Sequence, residues 1–473
     1  MKPKIIFLSI TIIIIALSGC KVGPDFRQPQ LQTLRTYRFD SISTAADTVL
    51  NLKWLELFND DELKALIDTA LIHNQDVLIA ASRIEEAMAM VGYTKADLWP
   101  VLGYNGSASR RQLNLEGSGT SDPFNTFGAG LNLSWELDFW GKVRRSTEAA
   151  RAELFASQYG QRAVQIGLIT AVTNTYFALL DFDAKLQISE KTMASRRESL
   201  RIIKERFNKG IVPEIDLNQA EIQEADAAAL VPLYRRAVAQ TENALSLLLG
   251  KNPGPVRRNK VLSDVIIPPE IPAGIPSTLL QRRPDILQAE QMLAAQNARI
   301  GVAQAMRFPS FSLTGMFGAA TADLSSFFSG ESVVWSMGGN FLGPLFNFGK
   351  NKRRVQIERQ RMKQDSLIYV KTVLQAFKEV EDALVAIKTL QNESDARRRQ
   401  MIAADNASKL SMERYNGGVT SYLEVLDSER SKFSAQLAAS EVYRQYLDAY
   451  IRLYKALGGG WISQEEMNQA GGK

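Results

Sequence analysis

One spacing recurs along this chain. Glu205-Arg206-Phe207-Asn208-Lys209-Gly210 returns 208 residues later as Glu413-Arg414-Tyr415-Asn416-Gly417-Gly418. Phe139-Trp140-Gly141-Lys142 returns at the same offset as Asn347-Phe348-Gly349-Lys350, and Leu249-Gly250 returns as Leu457-Gly458. Asp76, Gly92 and Pro100 have counterparts in Asp285, Gly301 and Pro309, one residue further on. Solenoids repeat every roughly 20–50 residues, so an offset this long means one whole layout present twice. Length alone would suggest about three domains; the duplication argues for two copies of one design instead. The copies expected are residues 61–250 and 278–458, joined by a Pro-rich linker at 251–277 and flanked by an N-terminal segment 20–60 and a tail 459–473.

Each copy contains one pair of strands. Phe127, Ala129, Leu131, Leu133, Trp135, Leu137 and Phe139 alternate with Gly128, Gly130, Asn132, Ser134, Glu136 and Asp138. Period two means a strand with one apolar and one wet face. The second copy repeats this more loosely, with Val333, Trp335, Met337, Phe341 and Leu345 against Ser336, Gly338 and Asn340. The strands expected are 101–111 with 127–139, and 310–320 with 333–347, each pair joined by a Gly/Ser/Asp-rich turn. Trp99, Trp140, Phe308 and Phe348 stand where strand meets helix, the position of an aromatic girdle at one membrane surface. Four strands cannot close a barrel, and an open edge cannot exist in lipid. Two copies of the chain would supply eight strands with a filled interior, and three would supply twelve with room for a pore. A homotrimer is the expectation.

The remainder reads as helix. Lys142 to Phe207 lacks Pro, and Lys350 to Tyr415 lacks both Pro and Gly; at 1.5 Å per residue each arm reaches about 100 Å. Shorter helices are expected over Asp61–Leu98, Ile211–Leu249, Ser277–Arg307 and Thr420–Leu457. In the last, Leu426, Phe433, Leu447 and Tyr454 share one heptad position, interrupted by Ser440, a pattern for side-by-side coiled packing.

The N-terminus reads as an address. Lys2 and Lys4 precede an apolar run, Phe7 to Leu17, too short for a stable membrane anchor. Residues 1–19 form the expected signal peptide, and Leu17-Ser18-Gly19-Cys20 resembles a bacterial lipobox. That resemblance implies cleavage before Cys20 and lipid, such as palmitate, on its thiol; Lys21 is compatible with the outer membrane. No later stretch has 18 consecutive apolar residues.

Composition excludes most chemistry. One Cys and one His rule out an internal disulfide, zinc clusters and nearly every Cys–His or Ser–His–Asp dyad. His73 is expected as a capping or surface residue near a helix bend. The net charge of +5 is too small and dispersed for nucleic acid. No GxxxxGK[ST] loop is present, and Gly343 to Lys350 misses its spacing. Neither an enzyme nor a metal or organic cofactor is expected; the only covalent group would be the lipid on Cys20.

An ordered set of motifs resembles the TolC-like outer-membrane efflux family, in its lipoprotein branch of OprM/NodT type. Its carriers are Val22-Gly23-Pro24-Asp25-Phe26 with Pro29, Trp54 with Phe58 and Asp60, Asn74 with Asp76 and Arg83, and Arg282-Arg283-Pro284-Asp285-Ile286 with Glu290. Phe308-Pro309, Gly343-Pro344-Leu345-Phe346 with Gly349, and Tyr454-Lys455-Ala456-Leu457-Gly458-Gly459-Gly460-Trp461 complete it. The resemblance implies an α+β membrane protein: a trimeric α-barrel of long helices carrying a twelve-stranded β-barrel, with an equatorial belt at mid-tunnel. It further implies a passive exit duct of a tripartite efflux pump in the outer membrane, working with a periplasmic adaptor protein and an inner-membrane transporter of the resistance-nodulation-division type. The outer-membrane duct of a type I protein-secretion system is the alternative. A free-standing porin does not suit two arms of this length.

Site residues follow from these readings. Arg206, Phe207, Asn208, Gly210, Arg414, Tyr415, Asn416 and Gly418 form two helix-to-helix turns farthest from the strands; Gly suits the C-cap, and the family implies that this tip meets the adaptor. Leu423, Asp427 and Arg430, spaced i, i+4, i+7, share one helix face. By resemblance they form the periplasmic gate, an apolar ring and an ionic latch. Basic clusters, Lys142 with Arg144 and Arg145, and Lys350 with Lys352, Arg353 and Arg354, follow the strand pairs. A plain solvated helix face is the expectation for both clusters, with anionic outer-membrane lipid headgroups as the alternative.

Overall fold

The computed structural model describes residues 21–29, 31, 36–39, 60–112, 114–115, 119–120, 122–266 and 279–459. The expected signal peptide, Cys20, Trp54, Phe58, linker residues 267–277 and the tail beyond Gly459 lie outside them. Seven helices of more than one turn are described: α1 Asp61–His73, α2 Gln75–Ala96, α3 Lys142–Asn208, α4 Glu214–Leu248, α5 Pro284–Ala305, α6 Lys350–Asn416 and α7 Tyr422–Ala456. The long strands are β1 Val101–Arg111, β2 Phe124–Leu137, β3 Ser310–Thr321 and β4 Val333–Leu342. A two-residue ribbon, Asn114–Leu115 with Gly119–Thr120, extends the first turn. The chain divides into two compact units, each assembled from both halves of the sequence: residues 1–30, 83–158 and 288–370, and residues 31–82, 159–287 and 371–473.

The first unit carries the sheet. Its four strands run antiparallel in the order β1-β2-β3-β4, so β1 and β4 are open edges. Residues directly opposite each other point to one face, and the register therefore sorts whole rows. Tyr104, Leu131, Phe317 and Trp335 form one row across all four strands, and Leu102, Leu133, Gly315 and Met337 the next on that face. The opposite face carries Gly103, Asn132, Met316 and Ser336, and then Val101, Ser134, Thr314 and Gly338. The apolar rows are exposed, Tyr104 at 89% and Trp335 at 74%. Gly130 and Gly318 pair across β2 and β3, and a Cβ on Gly318 would lie 2.3 Å from the Ala129 carbonyl oxygen, a close backbone approach that only glycine permits.

The strand ends differ from the periodicity for local reasons. β2 stops at Leu137 because Asp138 leaves the ladder to cap α3, accepting from the backbone N–H groups of Val143 and Arg144 at 2.9 Å each. β4 stops at Leu342, five residues before the expected end, because Gly343-Pro344 follows and proline cannot donate to a ladder. The expected helix Asp61–Leu98 is broken at Asn74, whose backbone is extended. Its carboxamide oxygen accepts from the Asp76 N–H at 2.9 Å, and its amide donates to the Leu248 carbonyl at 2.9 Å. His73 ends α1 exposed to solvent. The expected helix Ser277–Arg307 likewise begins as one turn, Leu279–Arg282, and restarts at Pro284.

The second unit is helical. α3 includes an 18-residue stretch apolar enough to cross a membrane by length and composition, yet more than half of it is buried within the chain. Val172, Tyr176, Phe177 and Leu179 are fully enclosed there. On α7 the heptad residues Leu426, Phe433, Leu447 and Tyr454 are buried. Ser440 interrupts them because it faces a charge: its hydroxyl donates to Asp181, which has no exposed surface. Lys185 pairs with Asp181 at 2.7 Å and also with Glu441; Arg444 pairs with Glu441 at 2.7 Å and also with Asp448. Burial would raise Glu441, but hydrogen bonds from Lys185, Gln445 and Arg444 hold it at about 2. Burial raises Asp181 despite Lys185. Burial also raises Asp448, to about 6, outweighing the attraction of Arg444 and Arg452. A carboxyl lifted above its unfolded value of about 3.9 favours the fold while protonated and loses that contribution as pH rises through about 6. Asp448→Asn should therefore stabilise the detergent-solubilised protein by about 1–3 kcal/mol at pH 8. The gain should fade below pH 6 and vanish near pH 4; thermal unfolding midpoints across that range test it, and a pH-independent change would refute it.

Candidate functional site

Two turns of the second unit share one backbone design. After α3, the Gly210 N–H donates to the Phe207 carbonyl at 2.8 Å and the Ile211 N–H to the Arg206 carbonyl at 2.9 Å. After α6, the Gly418 N–H donates to Tyr415 at 3.0 Å and the Val419 N–H to Arg414 at 2.9 Å. Both are Schellman caps, which satisfy the last helix carbonyls and need a left-handed residue; Gly210 and Gly418 supply it at φ 68° and 72°. Capping thus accounts for the glycines. The side chains make a further layer: the Arg206 guanidinium lies 5.3 Å from the centre of the Tyr415 ring, and Tyr415 lies 5.3 Å from Tyr422. Arg414 pairs with Glu424 at 3.2 Å. Phe207 is half-buried, and Asn208 and Asn416 are exposed.

Sequence reasoning missed Ile211 and Val419. Each directly follows a capping glycine, at the same 208-residue offset, and each is exposed, at 66% and 71%. The repeat itself carried that signal. It also missed Arg196, which is buried at 3% exposure among α3, α4 and α7. Its guanidinium donates to the Gln223 carbonyl at 2.8 Å and covers the Phe433 ring at 5.1 Å. Burial lowers its pKa, against the attraction of Glu429. Nearby, burial with Glu429 pushes the Tyr422 hydroxyl up to about 12. Nothing in the local sequence distinguishes Arg196 from the exposed Arg197 beside it.

On α7, Leu423, Asp427 and Arg430 are all exposed along one side, whereas Tyr422, Val425 and Leu426 are buried with Ile203 and Ala220. Among the described residues Asp427 and Arg430 form no ion pair, with each other or with another side chain, so the intrahelical pair allowed by their spacing is not made in one chain.

In the first unit, two of the four corner aromatics meet. The Trp140 and Phe308 rings stack with centroids 4.5 Å apart and planes 21° apart, and the Trp140 indole donates to the Pro309 carbonyl at 2.7 Å. Trp140 so ties the end of β2 to the start of β3. Trp99 and Phe348 remain exposed, at 69% and 85%; Phe348 touches only Phe346 among described rings, at 4.6 Å. Of the carried motif residues, Arg283 is buried and pairs with Asp285 at 2.6 Å and Glu379 at 2.8 Å.

Among the described residues no three His, Cys, Asp or Glu side chains converge as a metal site. A cavity of about 940 Å³ in the second unit is lined by Asp183, Arg258, Asp395, Arg398, Tyr443 and Tyr446, among others. Its charges are already matched, Arg258 by Asp183 and Glu242 and Arg398 by Asp395.

Comparison with known proteins agrees with this architecture. The family model described as outer membrane efflux protein matches residues 66–251 and 275–459. The cation efflux system protein CusC of Escherichia coli is 36% identical over 450 residues, 94% of this chain and 97% of that protein. The solvent efflux pump outer membrane protein SrpC of Pseudomonas putida is 36% identical over 461 residues, 95% and 98% of the two chains. Among solved structures, the open state of the MtrE outer membrane channel of Neisseria gonorrhoeae superposes with a TM-score of 0.84 at 31% identity, covering 93% of this chain and 98% of that one. A duplicated sequence, an open four-stranded sheet with exposed apolar rows, paired helical turns and near full-length matches converge: the chain belongs to the outer membrane efflux protein family and is an efflux channel of the outer membrane.

Proposed function

We propose that three copies of this chain close one β-barrel and form the passive exit duct of a tripartite efflux pump. The observation that carries this reading is the sheet. Its two edges are unpaired, and its exposed face is a continuous apolar surface whose neighbours are lipid in a closed barrel. Each free edge then pairs with the opposite edge of the next copy, and twelve strands leave a lumen. The chain performs no covalent chemistry. Energy comes from an inner-membrane transporter of the resistance-nodulation-division type, and a periplasmic adaptor joins that transporter to the duct. Lipid on Cys20 anchors the N-terminal segment. The related proteins are named for cation and solvent efflux, which supports small solutes over secreted proteins as cargo.

The turn residues Arg206, Phe207, Asn208, Arg414, Tyr415 and Asn416 dock the adaptor, together with Ile211 and Val419. Ile211 and Val419 leave about two thirds of their β-branched side chains exposed at the ends of paired helices, and an apolar partner surface would cover them. Leu423, Asp427 and Arg430 face the tunnel entrance as its gate, with Asp427 and Arg430 pairing across copies.

Two experiments test the site. The purified trimer with Asp427→Ala and Arg430→Ala, placed in a planar bilayer, should show a resting conductance several-fold above wild type. Exposed ion pairs are worth only about 0.2–1 kcal/mol each, so assembly should survive. Unchanged conductance would refute the gate. Ile211→Asp with Val419→Asp should abolish export and adaptor cross-linking in cells while leaving the trimer intact on native gels. Loss of the trimer would instead make these residues structural.

A further inference from the structure

The two copies of the strand-to-helix corner have diverged in charge. At the start of α3, every cation has an acid. Lys142 pairs with Glu136 at 2.6 Å, Arg144 with Asp138 at 3.1 Å, and Arg145 with Asp25 at 3.0 Å and Glu148 at 3.1 Å. Moving 208 residues on, the three cations persist as Lys350, Lys352 and Arg353, but the acids do not. Pro344 stands for Glu136, Phe346 for Asp138 and Gln356 for Glu148. Arg307 adds a further cation. It follows Met306, whose carbonyl accepts from the Asn351 amide at 2.9 Å and whose sulfur lies 2.8 Å from the Arg354 guanidinium, so the end of α5 and the start of α6 are held together. Arg307, Lys350, Lys352 and Arg353 are all exposed, and among the described residues none of their side chains has an acid or hydrogen-bond partner.

These cations do not stand in open polar surface. Leu345 is fully exposed, Phe346 and Phe348 nearly so, and Phe308 lies at the start of β3. Aromatic rings at the end of lipid-facing strands mark headgroup depth. Cations there, beside apolar side chains and without acids of their own, match an anionic headgroup: phosphate oxygens for the guanidinium and ammonium groups, acyl chains for the rings. We propose that Arg307, Lys350, Lys352 and Arg353 form a binding surface for the headgroup of an anionic phospholipid, in the leaflet on the helix side of the sheet. The corner at Lys142 is neutralised from within and takes no such lipid. This assignment rests on the reading of the sheet as membrane-embedded.

The test uses the full-length chain in detergent, examined by native mass spectrometry after titration with dioleoyl phosphatidylglycerol or dioleoyl phosphatidylcholine. Wild type should retain phosphatidylglycerol in preference to phosphatidylcholine. Lys350→Gln with Lys352→Gln and Arg353→Gln should weaken that retention at least about tenfold, since each cation near an anionic surface contributes roughly fivefold. Lys142→Gln should leave it unchanged. A triple variant that keeps the wild-type preference overturns the assignment. So does one that falls apart into monomers, because the cations would then be paired with acids of a second copy. If wild type retains neither lipid and does not enter vesicles of either composition, the membrane reading of the sheet has itself failed.

Discussion

The backbone at the two edges of the sheet governs this molecule. Every N–H and C=O on the free sides of β1 and β4 needs a partner, and hydrocarbon offers none. A soluble sheet would leave such edges to water or blunt them with charge. Here the same sheet exposes Tyr104, Phe317 and Trp335 on one face, so the apolar rows and the edges cannot both be served by water. Copies at the edges and lipid on the face serve both at once. Duplication within one chain shares this logic: β2 and β3, one from each half, pair from Phe127 with Thr321 to Leu137 with Phe311, so each chain presents one continuous four-stranded panel.

What attaches the panel to helices is a set of corners, and there the halves have separated in role. Asp138 ends β2 by turning to cap α3, and the Trp140 ring locks that corner against Phe308. The corresponding corner at Phe346 and Phe348 has no carboxylate to cap or neutralise and leaves its rings outside. The tips diverged less. Both keep the same cap hydrogen bonds because chain reversal after a long helix requires the same left-handed residue in each. Only one is followed by the exposed Leu423, Asp427 and Arg430, whereas Ile215, Gln219 and Ile222 occupy the corresponding face after the other.

Much of the architecture was legible without coordinates. Strict alternation from Phe127 announced β2, and the absence of Pro and Gly announced α6. Boundaries were less so, since they depend on side chains that leave the regular pattern. Asp138 continues the alternation yet belongs to a helix cap, and Asn74 lies inside an apolar helical period yet breaks the helix to reach Leu248. Ser440 looked like a defect in a heptad until its partner Asp181, far away in sequence, was placed against it. Arg196 gave no signal, because burial of one arginine among three helices is invisible in the residues next to it.

The sequence by itself determined periodicity, duplication and charge: which residues could share a face, that there were two copies of one plan, and that a single Cys leaves no disulfide within the chain. Those properties are local or statistical, so they survive in a string of letters. Only the tertiary structure decided which rows cross the sheet together, that Asp427 and Arg430 do not pair within one chain, and which cations have acids. Such facts depend on register and on contacts between distant segments. A one-residue slip of a strand or a quarter turn of a helix would reverse them without changing a residue.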